Sequence, residues 1–157
     1  MTSTQTNRER PAPTQPASPV NPADVKVGEA LPERSFTPTM AELFLYSAII
    51  WNPHRIHYDI PYVTESEGYP GAVITGPLQG DWLLQGVTEW MGEGALLERF
   101  SYRNKQAAYL GETLTTGGSV SGYDPGAGRA TLALHVRNEG GEVITPGEAV
   151  VRFAATP

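Results

Sequence analysis

Positions Met40, Leu43, Phe44, Ser47, Ala48 and Trp51 follow the i, i+3, i+4, i+7 spacing of a helix face, so the pattern predicts a helix between Phe36 and Trp51. Thr37-Pro38 supplies its start signal, a capping hydroxyl with proline at the first helical position. A second helix is predicted over Pro77 to Met91. Its apolar stripe is Leu83, Leu84, Val87, Trp90 and Met91, and Gly92 or Gly94 would stop it. From Phe100 onward the period falls to two. Leu132, Leu134 and Val136 alternate with Thr131, Ala133 and His135, and Ala149, Val151 and Phe153 alternate with Val150 and Arg152. Asp124-Pro125-Gly126 and Gly140-Gly141 are turn signals between these runs. The last third therefore reads as a meander of about four antiparallel strands. A fainter pattern of a first strand covers Val25 to Arg34. Helices first and strands after is the order of an α+β domain with a sheet wrapped on a helix.

Composition narrows the picture. A chain of 157 residues is enough for one domain with a real core. The first 22 residues hold five prolines, four threonines and no aromatic ring, too little apolar surface to offset ordering entropy. They are expected to form a disordered arm over 1–22 before a single domain at 23–157. The absence of cysteine excludes disulfides, zinc-thiolate sites and thiol catalysis. Eleven basic residues against 17 acidic ones, with no basic stripe, argue against a nucleic-acid partner. No run approaches the ~18 apolar residues of a membrane span, and no charged-then-apolar signal peptide opens the chain, so a cytoplasmic location is expected.

Two clusters carry candidate chemistry. Trp51-Asn52-Pro53-His54-Arg55-Ile56-His57-Tyr58-Asp59 places two of the three histidines where a helix runs into a loop. Histidine transfers protons near neutral pH, and a loop histidine beside Tyr and Asp also serves as a hydrogen-bonding strut. His54, His57 and Asp59 would offer three metal ligands but no clear fourth, so no metal site is expected. The second cluster is Gly68-Tyr69-Pro70-Gly71-Ala72-Val73-Ile74-Thr75-Gly76-Pro77-Leu78, a strand-like piece entering a helix through glycine. Free N–H groups at that helix start suit an oxyanion or phosphate, and the same glycines suit a tight turn.

Together the clusters resemble the MaoC-like, or type 2 enoyl-CoA hydratase, branch of the hotdog superfamily. Of the family's two patterns, the chain is more similar to the variant branch of fungal-type hydroxyacyl-thioester dehydratases and mesaconyl-CoA hydratases. That branch reads Asn-x-His-Arg-Ile-His-Tyr-Asp, then Glu-Gly-Tyr-Pro-Gly, then a Gly-Pro-Leu helix start. Here these are Asn52 to Asp59, Glu67 to Gly71 and Gly76 to Leu78, with Gly111-Glu112-Thr113-Leu114 similar to the family's strand entry. The resemblance implies a single hotdog domain, a long central helix wrapped by a curved antiparallel sheet, pairing as a homodimer or with another hotdog chain. It implies a lyase, a hydratase or dehydratase acting across the α,β double bond of an acyl thioester. Coenzyme A is the expected carrier, with no other cofactor. His57 takes the place of the family's catalytic histidine, and the Gly76 N–H that of the oxyanion donor.

The chain departs from the family pattern twice. The family's aspartate five residues before the histidine is Asn52, whose amide cannot accept a proton but can orient water or His57. Thr75 stands where the family usually has His before the glycine. Arg55 is expected either to meet CoA phosphates or to brace the loop, Asp59 to orient neighbours, and Tyr69 with Gly71 and Thr75 to border the substrate. Arg103 and Lys105, on a predicted strand, would be solvated; His135, Trp82 and Trp90 would pack. Gly80 and Gly86 would give either room for a bulky acyl group or close helix–sheet packing. Two rival functions follow: a partner-dependent or non-catalytic subunit of a heterodimer, and a thioesterase using Asp81 or Glu89.

Overall fold

The computed structural model describes residues 19–154, so positions 1–18 of the expected arm lie outside the described residues. Residues 19–22 are placed against the end of the second helix, where the Val20 N–H donates to the Trp90 carbonyl at 2.9 Å. A 3-10 turn at Pro22–Asp24 follows, capped by the Asn21 side chain.

Five strands form one antiparallel sheet: β1 (Ala30–Phe36), β2 (Leu96–Tyr102), β3 (Leu114–Asp124), β4 (Arg129–Arg137) and β5 (Val143–Arg152). Their spatial order is β1-β3-β4-β5-β2. The centre, β3-β4-β5, is the meander that the period-two pattern predicts. On β4, Leu132, Leu134 and Val136 are buried while their neighbours Thr131, Ala133 and His135 are not. Asp124 Oδ1 closes the first turn by accepting from Gly126 and Ala127 N–H groups at 2.9 and 3.1 Å. The expected four-strand meander is corrected at both ends. β2 starts at Leu96 and crosses to pair with β5, and β1 lies beside β3. The first strand is shifted from the expected 25–34, and Arg103 and Lys105 lie beyond β2 rather than on a strand.

Two helices, α1 (Met40–Ile49) and α2 (Gly76–Met91), complete the core elements. α2 packs on all five strands and ends at Gly92, whose φ of 70° suits glycine. It buries Trp82, Leu83, Val87 and Trp90. Trp82 stacks on Phe36 at 4.5 Å and Trp90 meets Phe153 at 5.8 Å, so both tryptophans are packing residues. A Cβ on Gly80 would sit 2.4 Å from the Tyr102 ring, so this glycine permits close helix–strand approach, while Gly86 faces open space. A central helix against an antiparallel sheet is the hotdog arrangement, and the fold is α+β.

α1 begins later than its periodicity suggests. Phe36 closes β1, and the cap is Thr39 rather than Thr37: Glu42 N–H donates to Thr39 Oγ1 at 3.2 Å and Thr39 N–H to Glu42 Oε2 at 2.7 Å. This reciprocal capping box satisfies two of the helix's free donors.

Candidate functional site

The C-terminus of α1 sets the geometry of the histidine motif. Trp51 N–H donates to the Ala48 carbonyl at 3.2 Å and Asn52 N–H to the Ser47 carbonyl at 2.8 Å. This is a Schellman motif with tryptophan, at φ 54°, in the left-handed position that glycine usually fills. The turn delivers Asn52 to the start of the loop, and its Oδ1 accepts from the His54 N–H at 3.1 Å. His54 Nδ1 in turn accepts from Ile56 N–H at 3.4 Å, opening the 3-10 turn Arg55–His57.

His57 is buried at the end of this turn. Its Nδ1 lies 2.8 Å from the Val73 carbonyl oxygen. A carbonyl only accepts, so Nδ1 carries the hydrogen and Nε2 keeps its lone pair. Burial lowers the pKa of His57 below the usual 6.5 and the nearby His54 pushes the same way, against the Val73 hydrogen bond. The imidazole is thus held neutral near pH 7 in one tautomer, as a base requires.

Val73 belongs to the segment that enters α2. Its own N–H donates to Ile56 O at 2.9 Å, while Ile74 N–H donates to Ala108 O at 2.8 Å. The segment is therefore tied to the histidine turn on one side and to residue 108 on the other. Three residues after Val73, Gly76 opens α2, with Pro77 next to it. Thr75, the preceding residue, is fully buried and its hydroxyl does not cap the helix; Thr75 Oγ1 has no partner. First-turn N–H groups have no i−4 carbonyl, and the helix dipole adds positive character there. His57 and the α2 start are brought together through Val73.

Gly76 also has a steric reason. A Cβ there would lie 2.5 Å from Asn104 Oδ1. Asn104 Nδ2 donates to Thr145 Oγ1 at 3.0 Å, and that hydroxyl donates to buried Gln79 Oε1 at 2.7 Å. Asn104 is a site neighbour that sequence reading missed. Its place depends on β2 and β5 meeting, and no local pattern marks that.

The other predicted residues divide. Arg55 donates from Nε and Nη2 to Asp59 Oδ2 at 2.9 and 2.7 Å and lies 4.1 Å over the Tyr62 ring. Arg55 holds the Asp59 carboxyl below its usual pKa, and Asp59 Oδ1 accepts from Tyr62 N–H at 3.2 Å. These residues brace the turn at Tyr62–Ser66. Tyr69 is exposed and faces Tyr109 with ring centroids 6.2 Å apart, and Gly71 borders open space. His135 is half-buried on β4 with Nε2 unpartnered. Asp81 accepts from the Tyr46 hydroxyl at 2.6 Å and Glu89 from Arg34 at 2.9 Å, so both carboxylates of the thioesterase alternative are already engaged.

A family model described as "Hydroxyacyl-thioester dehydratase type 2" matches residues 1–110. Among curated proteins, the mitochondrial hydroxyacyl-thioester dehydratase type 2 of Schizosaccharomyces pombe is 35% identical over 91 residues, 55% of this chain and 30% of that one. Mesaconyl-C(4)-CoA hydratase of Chloroflexus aurantiacus is 48% identical over 52 residues, 33% of this chain and 19% of that one. The matched stretch thus spans less than a third of either relative. Among solved structures, the (R)-hydratase of A. caviae involved in PHA biosynthesis superposes with TM-score 0.74 at 22% identity, covering 83% of this chain and 98% of that one. The ChsH1-ChsH2 complex of Mycobacterium tuberculosis gives 0.73 at 19% identity, covering 82% and 98%. At these identities the structural likeness shows the fold.

Proposed function

Since the chain belongs to the hydroxyacyl-thioester dehydratase type 2 family, we propose that it adds water to, or removes it from, the α,β double bond of an acyl thioester carried on coenzyme A. One observation carries the reading: His57, fixed by Val73 O with Nε2 left as acceptor, sits beside the segment that delivers the uncapped start of α2. In hydration, Nε2 takes a proton from water as the water oxygen bonds to the β carbon. Negative charge moves to the thioester oxygen, where the Gly76 N–H donates to it. Nε2 then gives that proton to the α carbon as the carbonyl re-forms, which returns His57 to its neutral form, and dehydration runs the same steps backwards.

Asn52 has no proton-accepting role in this scheme. Its Oδ1 is committed to the His54 N–H, and its Nδ2 is the group that orients water. Arg55 and Asp59 hold the loop that carries His57, Tyr69 and Gly71 border the thioester, and Thr75, fully buried, supports the start of α2 from behind rather than touching substrate. The reading needs acid–base chemistry alone, with no metal or cofactor besides the substrate's own carrier. Pairing with a second hotdog unit and a cytoplasmic setting complete the proposal. Among the described residues, no helix is long and apolar enough to cross a membrane.

The test is hydration of crotonyl-CoA and a panel of longer and branched enoyl-CoAs by wild type and His57→Ala. Loss of about 10²–10⁴-fold in the variant, with its unfolding transition retained, is the expected result. Equal turnover by both proteins would overturn the assignment.

A further inference from the structure

The contact between α2 and the sheet is apolar along most of its length and polar near its start. Trp82, Leu83, Val87 and Trp90 fill it from the middle of the helix to its end. Before them, Gln79 and Thr145 of β5 are buried together at 2% and 0% exposure. Thr145 Oγ1 donates to Gln79 Oε1 at 2.7 Å and accepts from Asn104 Nδ2 at 3.0 Å. Asn104 itself is exposed, so this chain of bonds runs from the core to the surface. Replacing two bonded polar groups by apolar groups of the same shape is often neutral or stabilising, so the fold alone does not call for the buried pair. What the pair does is fix one surface side chain. The backbone of Asn104 is pinned on both sides, by Arg103 N–H donating to Pro146 O at 3.0 Å and Lys105 N–H to Ile144 O at 2.8 Å. Thr145 then turns the amide, leaving Oδ1 against Gly76, where a Cβ would lie 2.5 Å from it.

We propose that Gln79, Thr145 and Asn104 form a positioning relay for the Gly76 N–H. The inference rests on the acyl-thioester reading and adds the residues that hold its oxyanion donor in place. A glycine has no side chain of its own to pack, so its place at the helix start is set by its neighbours. Pro77 restricts the backbone on one side, and the Asn104 amide closes the other. Gln79 lies three residues beyond Gly76 on the same helix, so the relay is a closed circuit. It leaves α2 at residue 79, passes through β5 and returns to α2 at residue 76. The sheet thereby fixes the first turn of α2 against its own third and fourth residues. A donor fixed in this way does not reorganise as charge builds on the thioester oxygen, and a small misplacement costs rate rather than binding. All three residues act through Gly76; none exchanges a proton or meets the thioester.

Crotonyl-CoA hydration by Asn104→Ala is the first measurement. The residue is exposed, so the fold should survive, and kcat should fall about tenfold while KM stays within about twofold. Gln79→Met combined with Thr145→Val replaces the buried pair by apolar groups of similar shape. In that variant Tm should stay level or rise while kcat falls as in Asn104→Ala, and adding Asn104→Ala to it should cost nothing further. Thr145→Ser keeps the hydroxyl and should recover most of the rate that Thr145→Val loses. Wild-type kcat in Asn104→Ala would overturn the relay. A lower Tm with unchanged kcat in the paired variant would also overturn it, by showing the buried pair to be structural. So would a raised KM at constant kcat, which would make Asn104 a substrate contact. Turnover lost in His57→Ala but kept in every relay variant would leave the hydratase reading standing without the relay. Absence of turnover by wild type on any enoyl-CoA would remove both.

Discussion

The two helices do opposite things with their apolar residues, and α1, the more apolar of the two, buries fewer of them. α2 buries Trp82, Leu83, Val87 and Trp90 against every strand of the sheet. α1 buries Leu43 and Ser47, and leaves Phe44, Leu45 and Ile49 more than half exposed. α2 ends on a glycine suited to its φ, and α1 on a tryptophan that is not. Where burial, capping and backbone preference agree, as along α2, the residues are accounted for by the fold. Where they disagree, as at the end of α1, the apolar surface exceeds what the fold uses, and function is the better account of it.

The largest effect should come from truncating the core helix. Leu83→Ala removes a buried side chain facing the sheet and should cost about 2–5 kcal/mol in chemical unfolding. Leu45→Ala, at a residue 57% exposed on α1, should stay within about 0.5 kcal/mol. Comparable losses would break the contrast. Thr39→Ala comes next. It removes the box that starts α1 and should cost about 1 kcal/mol, visible as a lower urea midpoint.

Trp51→Gly should act in the opposite sense. Relief of the left-handed conformation is worth roughly 1–2 kcal/mol, offset by about 0.5–1 kcal/mol for the freer glycine in the unfolded chain. A net gain of about 0.5 kcal/mol is expected because the exposed ring leaves little packing behind. Higher stability would sharpen the contrast; lower stability would mean that the indole packs after all.

The same contrast explains what was legible in the sequence. α2 was readable because Pro77, the stripe from Leu83 to Met91 and Gly92 all report local geometry. The strands β4 and β5 were readable from alternation, and β3 only from the turn at Asp124 that ends it. β2 was not, because its pairing with β5 joins distant segments and its own burial pattern is weak. The start of α1 was misplaced because Phe36 fits the helical spacing while serving β1, although the Thr39–Glu42 signature was there to be read. In the site, the motif named His57 and Gly76, and the tautomer of His57 came only from Val73 O, a contact across a loop. Nothing local announced that Trp51 would take positive φ, or that Ser47 Oγ would be left without a partner.

The smallest effect tests the group that joins the two helices. The folded pKa of His57 lies below the usual 6.5, chiefly because burial disfavours the charged ring. The unfolded chain therefore takes its proton first as pH falls, and between the two pKa values it binds more protons than the folded chain. Stability rises with pH across that window, so it is full above 6.5 and is lost as pH falls through it. His135, also lowered by burial and by Arg137, acts in the same direction, so wild type should lose Tm between pH 7 and about pH 5.5 from both rings. His57→Gln should lose less Tm over that interval, and His135→Gln should differ from wild type in the same way. Turnover separates the two rings. If His57 is the base, the acid limb of the hydration rate falls with a midpoint below 6.5 in wild type and in His135→Gln alike. An acid limb that moves with His135, or one whose midpoint lies above 6.5, would detach the chemistry from the ring between α1 and α2.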